Sequence, residues 1–326
     1  MADQTSTNIS LGIDVGGTKI AVVALSSDGT VLDRFRRPTD ADGGAERIVD
    51  DVMDCVEHEF SELLPDVTAA GIGVAGIVNR EEGILKFAPN LGLKNTPIGA
   101  MLSDRIGRPV LVLNDVDAAT YGEWKHGAAQ GSRQIIGAFL GTGVGGSVII
   151  NGRLLEGGNS SAGEIGHMPI IEGGRRCSCG NQGCVEAYAG GWAIGERARE
   201  QVNEQPERGR RLVEIAGSRE DITSETVSNA VSSGDPLAQE IVKRTGEILG
   251  AWVSGLVNVF NPNCFLLGGS VGEGFPQFMD AIDQHVRAHS LEAFQDEFNV
   301  KLAQLGDRAV AIGAAARARR QQRPNK

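Results

Sequence analysis

Three common features are scarce or missing in this sequence of 326 residues: paired cysteines, long apolar runs and an excess of positive charge. Its five cysteines are an odd number, and three of them lie between positions 177 and 184, which argues against the disulfide framework of a secreted protein. No apolar run approaches the roughly 20 residues of a membrane-spanning helix. The net charge of -11 argues against nonspecific binding to nucleic acid. We therefore expect a protein that binds neither membranes nor nucleic acids.

The start of the chain also bears on location. Residues 1–8 are polar and lack the charged and then apolar segments of a secretory signal. Together with the unpaired cysteines, this pattern predicts a cytoplasmic protein. The length allows two domains of ordinary size, and the 45 glycines imply many tight turns and close backbone approaches.

Residue types that bind metals cluster between Glu164 and Glu186. One imidazole and three thiols make up the ligand set of a closed tetrahedral zinc site, and the residues are His167, Cys177, Cys179 and Cys184. A zinc ion that orders this loop would also fix the flanking Glu164 and Glu186, whose carboxylates are good acceptors for sugar hydroxyls. The alternative is a set of reduced thiols beside an unrelated histidine. We interpret the cluster as a structural zinc site.

Two glycine-rich turns occupy similar positions in the two halves of the chain. Strand patterns at 9–14 and 20–25 flank the first turn, and strand patterns at 135–140 and 147–150 flank the second. Backbone N–H groups in such turns converge on anions, so the repeat predicts a duplicated domain with a phosphate-binding turn in each half. Gly-x-Gly-x-x-Gly at 141–146 also matches a dinucleotide-binding fingerprint. That motif requires a helix next, whereas a strand pattern follows here.

Strand and helix patterns alternate through the rest of the chain, which predicts the α/β class. Asp115 follows an apolar strand pattern at the start of a helix, the position where α/β folds place catalytic groups. It is our candidate general base, with a helix cap as the alternative and Asp117 as the competing residue. Asp14 ends the first strand and is the candidate to hold the Mg²⁺ of a nucleotide through water, with a structural turn residue as the alternative.

The order of these motifs resembles the ROK family (repressors, open reading frames and sugar kinases). The residues that carry the resemblance are Asp-Val-Gly-Gly-Thr-Lys at 14–19, Asn-Asp at 114–115, Gly-Thr-Gly-Val-Gly-Gly at 141–146, Glu-Ile-Gly-His at 164–167 and Cys-x-Cys-Gly-x-x-Gly-Cys-x-Glu at 177–186. The resemblance implies an actin-like ATPase fold of the ribonuclease H-like type, with two α/β domains that close over a cleft. It also implies phosphorylation of a hexose at its 6-hydroxyl by ATP with Mg²⁺.

The same resemblance implies the roles of individual residues. Asp115 is the base, and the hexose ligands are Asn90, Asn114, Asp115, Glu164, His167 and Glu186. His167 would bind zinc through one ring nitrogen and face the sugar with the other. The ATP-binding residues are Asp14, Gly16, Gly17, Thr18, Lys19, Gly141, Thr142, Gly143, Gly268 and Gly269. The implied domains are residues 1–115 with 312–326, and residues 116–311. A homo-oligomer, either a dimer or a tetramer, is expected.

The choice of hexose rests on one loop. Phe-Ala-Pro-Asn-Leu-Gly at 87–92 resembles the glucokinase form of the substrate loop, so we expect glucose before an N-acetylhexosamine (N-acetylmannosamine or N-acetylglucosamine), mannose or fructose. A noncatalytic sugar-sensing regulator is the alternative from another class. A repressor is not expected, because the first turn begins at residue 14 and leaves no room for a DNA-binding motif before it. Kinases of this group commonly carry Asn where this chain carries Asp117, and the added negative charge would favour protonation of Asp115.

Overall fold

Two five-stranded sheets organise the structure, a computed structural model that describes residues 8–321. Helices accompany both sheets, which confirms the predicted α/β class. The described chain divides into two compact units: unit 1 contains residues 8–131, 154–162 and 304–321, and unit 2 contains residues 132–153 and 163–303. The sequence predictions for residues 1–7 and 322–326, which include most of the polar start, lie outside the described residues.

Unit 1 combines a five-stranded sheet with a small three-stranded sheet. Its elements are β1 (Ile9–Val15), β2 (Lys19–Leu25), β3 (Val31–Pro38), α1 (Gly44–Glu59), β4 (Val67–Val74), β5 (Ile77–Asn79), β6 (Ile84–Ala88), β7 (Leu93–Thr96), α2 (Ile98–Ile106), β8 (Val110–Asn114), α3 (Asp115–His126) and α11 (Ala309–Gln321). The larger sheet has the order β3-β2-β1-β4-β8, and β1, β4 and β8 run parallel. Apolar residues fill β1 and β4 almost continuously, because these inner strands are buried on both faces.

Unit 2 contains the second five-stranded sheet, in the order β11-β10-β9-β12-β13. Its elements are β9 (Ile135–Leu140), β10 (Val144–Ile150), β11 (Arg153–Leu154), α4 (Glu186–Ala189), α5 (Gly191–Glu204), α6 (Arg210–Ala216), α7 (Ser224–Ser232), α8 (Pro236–Phe260), β12 (Cys264–Gly268), α9 (Gly269–Gly274), α10 (Gln277–His289) and β13 (Val300–Leu302). Within residues 8–321, no helix has the length and apolar character needed to cross a membrane.

The two glycine-rich turns are hairpins at corresponding places in the two sheets. The first joins β1 to β2, where the N–H of Gly16 donates to the carbonyl of Lys19 over 2.9 Å. The second joins β9 to β10, where the N–H of Gly141 donates to the carbonyl of Gly143 over 3.0 Å. The first strand of each hairpin also pairs with a parallel strand, β1 with β4 and β9 with β12. Both sheets therefore share one topology, as expected for a duplicated domain. A strand follows the second turn, and the dinucleotide-binding alternative is therefore excluded.

The alanine-rich helix α11 packs unusually close to β1 and α3. A Cβ atom on Gly12 of β1 would overlap the carbonyl of Ala311, and one on Gly313 would overlap the carbonyl of Ala118 in α3. Glycine at these positions lets the backbones touch directly. The close packing joins α3 and the end of the chain into one unit.

The compact units and the predicted domains have different boundaries, and the domain division stays a prediction. The sequence prediction placed residues 116–311 in the second domain. In the structure, unit 1 also includes residues 116–131, 154–162 and 304–311. The difference arises because backbone contact between α3 and α11 leaves no pattern within either segment that marks them as partners.

Candidate active site and metal centre

Three predicted site residues of unit 1 meet at the carboxyl ends of its parallel strands. Asp14 on β1 is in register with Gly73 on β4, and Val74 is in register with Asn114 at the end of β8. A Cβ atom on Gly73 would lie 3.6 Å from the Cα of Asp115. Parallel strands bring their carboxyl ends to one edge of a sheet, and ligands of α/β proteins bind there. This edge is the candidate catalytic region of unit 1.

The carboxylate of Asp14 is buried next to the first glycine turn. Lys19 lies 3.7 Å from it, and Asp115 and Asp307 are near enough to add repulsion. Burial is the main cause that raises the pKa of Asp14 to about 7, although Lys19 partly offsets it. A cation bound beside a buried carboxylate with a raised pKa stabilises its ionised form.

Asp115 is the first residue of α3, but it is not the residue that caps the helix. The cap is Asn114, whose Oδ1 accepts the N–H groups of Val116 at 2.8 Å and Asp117 at 3.2 Å. Its Nδ2 donates to the carbonyl of Gly76 at 3.1 Å. The capping alternative for Asp115 is therefore wrong. The positive end of the helix dipole also favours the ionised form of a carboxylate at this position.

Asp117 is held by a buried arginine that the sequence reading did not single out. Nη2 of Arg80 lies 2.7 Å from the carboxylate of Asp117, and both side chains are less than 8% exposed. Nη1 of Arg80 also pairs with Glu156. The guanidinium offsets the extra negative charge that we expected to act on Asp115. No pattern near Arg80 indicates this contact, because the two partners are 37 positions apart.

Asn90 lies beside the first glycine turn. A Cβ atom on Gly17 would come within 3.0 Å of the carbonyl oxygen of Asn90, while the side chain of Asn90 is exposed. The short 3-10 helix Pro89–Leu91 presents this side chain to solvent. Unit 1 thus brings the predicted residues of both the nucleotide and the sugar into one region, although the side chain of Thr18 is exposed at the turn.

In unit 2, Glu186 connects the second glycine turn to the cysteine loop. Its Oε2 accepts the N–H of Val144 at 3.0 Å, and its Oε1 accepts the hydroxyl of Ser178 at 2.7 Å. A Cβ atom on Gly143 would overlap the carboxylate of Glu186, so glycine is required for the approach. Ser178, which lies between two cysteines in sequence, is a contact that the sequence reading missed.

The predicted adenosine-binding glycines lie next to the second turn. Gly268 pairs with Phe139 near the end of β9, and Gly269 packs on the carbonyl of Leu140. Gly269 has φ of +82°, a conformation that favours glycine. Gly141, directly after Leu140, accepts the N–H of Gly191 at 2.9 Å.

Four side chains form a candidate metal centre in unit 2. Their ligand atoms all lie within 4.8 Å of one another, and the residues are His167, Cys177, Cys179 and Cys184. Sγ of Cys179 is 3.8 Å from Sγ of Cys184, and Sγ of Cys177 is 3.7 Å from Nδ1 of His167. A tetrahedral zinc ion with Zn–S bonds of about 2.3 Å separates two sulfurs by about 3.8 Å. The donor set and its spacing therefore fit zinc, as predicted.

The segment that carries His167 also carries Glu164. Glu164 immediately precedes the short 3-10 helix Ile165–His167, and its side chain is exposed. A Cβ atom on Gly166 would overlap the carbonyl of Val144, so this segment lies directly on β10. His167 faces Cys177 with Nδ1, which leaves Nε2 as the nitrogen for a second partner.

Comparison with known proteins places this arrangement in a family. Residues 10–321 match the ROK family. The chain belongs to the ROK family. A glucokinase of Streptomyces coelicolor is 34% identical over 313 residues, covering 95% of this chain and 98% of the relative. A xylose repressor of Bacillus subtilis is 27% identical over 312 residues, covering 94% of this chain and 76% of the repressor. The family therefore contains both catalytic and regulatory relatives.

A solved ROK structure confirms the fold. The ROK glucokinase of Streptomyces griseus, crystallised with glucose and AMPPNP, has a TM-score of 0.81 and 35% identity, and the match covers 96% of this chain and 100% of that chain. The actin-like ATPase fold predicted from the motifs is therefore confirmed for this ROK chain.

Proposed function

We propose that this chain is a cytoplasmic, ATP-dependent hexose kinase that phosphorylates the 6-hydroxyl of glucose, with Asp115 as general base. The observation that carries the proposal is the position of Asp115 at the start of α3, beside Asp14 and free of the capping role that Asn114 performs. In the reaction, the 6-hydroxyl attacks the γ-phosphorus of ATP while Asp115 accepts the hydroxyl proton, and ADP leaves. A positioned base of this kind contributes about 10²- to 10⁴-fold to the rate.

The nucleotide ligands in this proposal come from the glycine turns. The N–H groups of Gly16 and Gly141 close the two hairpins, so the following N–H groups, at 17–18 and 142–143, are the ones that bind phosphate oxygens. Lys19 adds a positive charge beside Asp14. Mg²⁺, when bound with ATP, neutralises phosphate charge during transfer. Asp14 would hold the hydration shell of that ion, which is consistent with a buried carboxylate whose pKa is raised by burial. Gly268 and Gly269 lie against the adenosine.

The hexose ligands are Asn90, Asn114, Glu164, His167 and Glu186. Asn90 and Glu164 present exposed side chains, as a sugar ligand requires. The side chains of Glu186 and Asn114 already accept hydrogen bonds from backbone N–H groups. These bonds fix the position of each side chain, and each can form one further hydrogen bond to a sugar hydroxyl. Zinc at the His167 and cysteine centre is structural, because four protein ligands leave no open position for a substrate.

Two alternatives remain for the experiment to separate. The first is another hexose, namely N-acetylmannosamine, N-acetylglucosamine, mannose or fructose. The second is a noncatalytic sugar sensor, and the regulatory relatives in the family favour testing it. The glucokinase relatives, which match almost the whole chain at 34% identity, support glucose as the first choice. We also propose a dimer or tetramer in solution.

The test is ADP release with a panel of hexoses, combined with Asp115→Asn. We expect glucose to give the highest kcat/KM, and Asp115→Asn to lower kcat about 10²- to 10⁴-fold while calorimetry still detects glucose binding. Asp104→Asn is the matched control, because Asp104 is exposed on α2 and the change removes the same charge. Glucose binding by the wild-type protein without ADP release would identify a sensor. Normal turnover in Asp115→Asn would place the base elsewhere.

A further inference from the structure

A cavity of unit 2 is lined by none of the residues assigned to hexose, ATP or zinc, although Arg175 in its wall lies two positions before Cys177. Its volume is about 380 Å³, within the range of small-molecule sites, which begins at roughly 300 Å³. Leu237, Ile241 and Ile248 from α8 supply an apolar wall, and Tyr188 from α4 closes another side. Three arginines also line it: Arg175, Arg197 and Arg244.

Two of these arginines already have carboxylate partners. Arg175 bonds to Glu196 and Glu200 at 2.7 Å, and Arg244 bonds to Glu247 at 2.9 Å. Glu240, which also lines the cavity, pairs with Arg208 at 2.8 Å. The charges around the rim are therefore largely balanced.

Arg197 differs from its neighbours because its bonds go to neutral oxygens. Nη1 donates to the carbonyl of Tyr188 at 2.9 Å and to the hydroxyl of Thr245 at 2.8 Å. No carboxylate among residues 8–321 forms an ion pair with it. Burial, together with Arg175 and Arg244, lowers the pKa of Arg197 to about 10. In the same wall, the buried Nε of Arg175 has no hydrogen-bond partner in the described part of the chain.

Arg197 is partly buried, and the carboxylate that attracts it, that of Glu200, is already bonded to Arg175. An anion beside Arg197 would therefore stabilise its charge. The remaining donors of Arg197 suit the oxygens of a phosphate or carboxylate, since a guanidinium binds such groups through two parallel hydrogen bonds. The leucine and isoleucine side chains of α8 suit an apolar part of the same ligand. An inorganic ion alone would leave this wall uncovered.

We propose that this cavity binds a small organic anion, with its phosphate or carboxylate on Arg197 and its apolar part against Leu237 and Ile241. The site does not depend on the proposed kinase activity, and binding there does not require substrates. It gives unit 2 a ligand site separate from the residues assigned to hexose and ATP.

The test is calorimetric titration of the zinc-loaded protein with phenyl phosphate, in the presence of saturating glucose and MgADP to cover the substrate sites. We expect one site per chain, with phenol and inorganic phosphate each binding at least about tenfold more weakly, because each lacks one half of the recognition. Arg197→Gln should weaken phenyl phosphate about 10- to 100-fold, the loss typical of a charge-assisted bond. Arg244→Gln should weaken it by a smaller factor.

Arg211→Gln is the matched control, because it removes the same charge from an exposed position of α6 outside the cavity. It should leave the affinity within about twofold of wild type. If Arg197→Gln fails to fold, the affinity of Arg244→Gln for phenyl phosphate tests the proposal instead. The side chain of Arg244 is exposed, so this change should not disturb folding. The proposal is overturned if wild-type protein takes up no phenyl phosphate at about 10 mM. An equal loss in Arg211→Gln, or unchanged affinity in both cavity variants, would also overturn it.

Discussion

The buried pair of Arg80 and Asp117 offers the most decisive test of the packing around the proposed base. The two side chains are 6% and 7% exposed, and their charged atoms are 2.7 Å apart. Removing one partner of a buried pair leaves an uncompensated charge, which typically costs about 3–5 kcal/mol. We expect Arg80→Met to lower the free energy of unfolding by about that amount. The carboxylate of Asp117 would then be buried without the guanidinium of Arg80.

Asp117→Asn should be milder. The amide oxygen still accepts a bond from Arg80, and Arg80 keeps its contact with Glu156. We expect the free energy of unfolding to fall by about 1–3 kcal/mol, the usual range when a buried hydrogen-bonding group loses part of its partner. The double variant should lose less than the sum of the single losses, because neither charge is then stranded. Turnover in folded Asp117→Asn should fall far less than in Asp115→Asn.

The assay is urea denaturation of the four proteins in a double-mutant cycle. Arg105 and Asp50 provide a matched exposed pair in unit 1, at 2.9 Å and with side chains 45% and 53% exposed. Arg105→Met and Asp50→Asn should each change stability by less than about 1 kcal/mol. If Arg80→Met and Asp117→Asn are as mild as this control pair and combine additively, the pair contributes little and our reasoning is refuted.

Three further outcomes follow from the structure. Cys179→Ser should lose zinc and weaken glucose binding, measured by metal analysis and calorimetry; normal sugar affinity in zinc-free protein would separate the metal from the sugar ligands. The pKa of Asp14 is raised from 3.8 to about 7, so its carboxyl group binds a proton more tightly in the folded state than in the unfolded chain. Without Mg²⁺, the free energy of unfolding should therefore fall as the pH rises from about 4 to about 7. Asp14→Asn should therefore melt higher than wild type at pH 8 but equally at pH 4, and an equal difference at both values would contradict the assignment. Glu123 is fully buried, and its carboxylate accepts three backbone N–H groups. Glu123→Gln should therefore lower the free energy of unfolding, measured with urea, by about 1–3 kcal/mol. An unchanged midpoint would show that these bonds are dispensable.

Much of the fold was predictable because its signals are local. Strands at 9–14, 20–25 and 135–140 are apolar runs that end at glycine turns, and the structure confirms each of them. Helix α8 carries apolar residues at helical spacing and begins at Pro236 after the cap Asp235, so its signal is also local. The zinc ligands were predictable for a similar reason, since three cysteines lie within one short loop.

The roles of neighbouring carboxylates were less predictable. From sequence, Asp115 could equally have been a base or a cap, because both readings suit an aspartate before a helix. Only the side-chain geometry shows that Asn114 is the cap. The charge of Asp117 was recognised from sequence, but its neutralising partner was not.

The element types, the two glycine hairpins, the metal-ligand set and the family resemblance could all be predicted before folding was considered, since each depends on residues close together in the chain. The contacts between distant residues could not. Tertiary structure paired Arg80 with Asp117 across 37 positions, joined Glu186 to Val144 across 42 positions, and packed α11 onto α3. These contacts depend on how sheets and helices pack, and burial then sets the strength of each charge. Neither property is encoded in any short stretch of the chain.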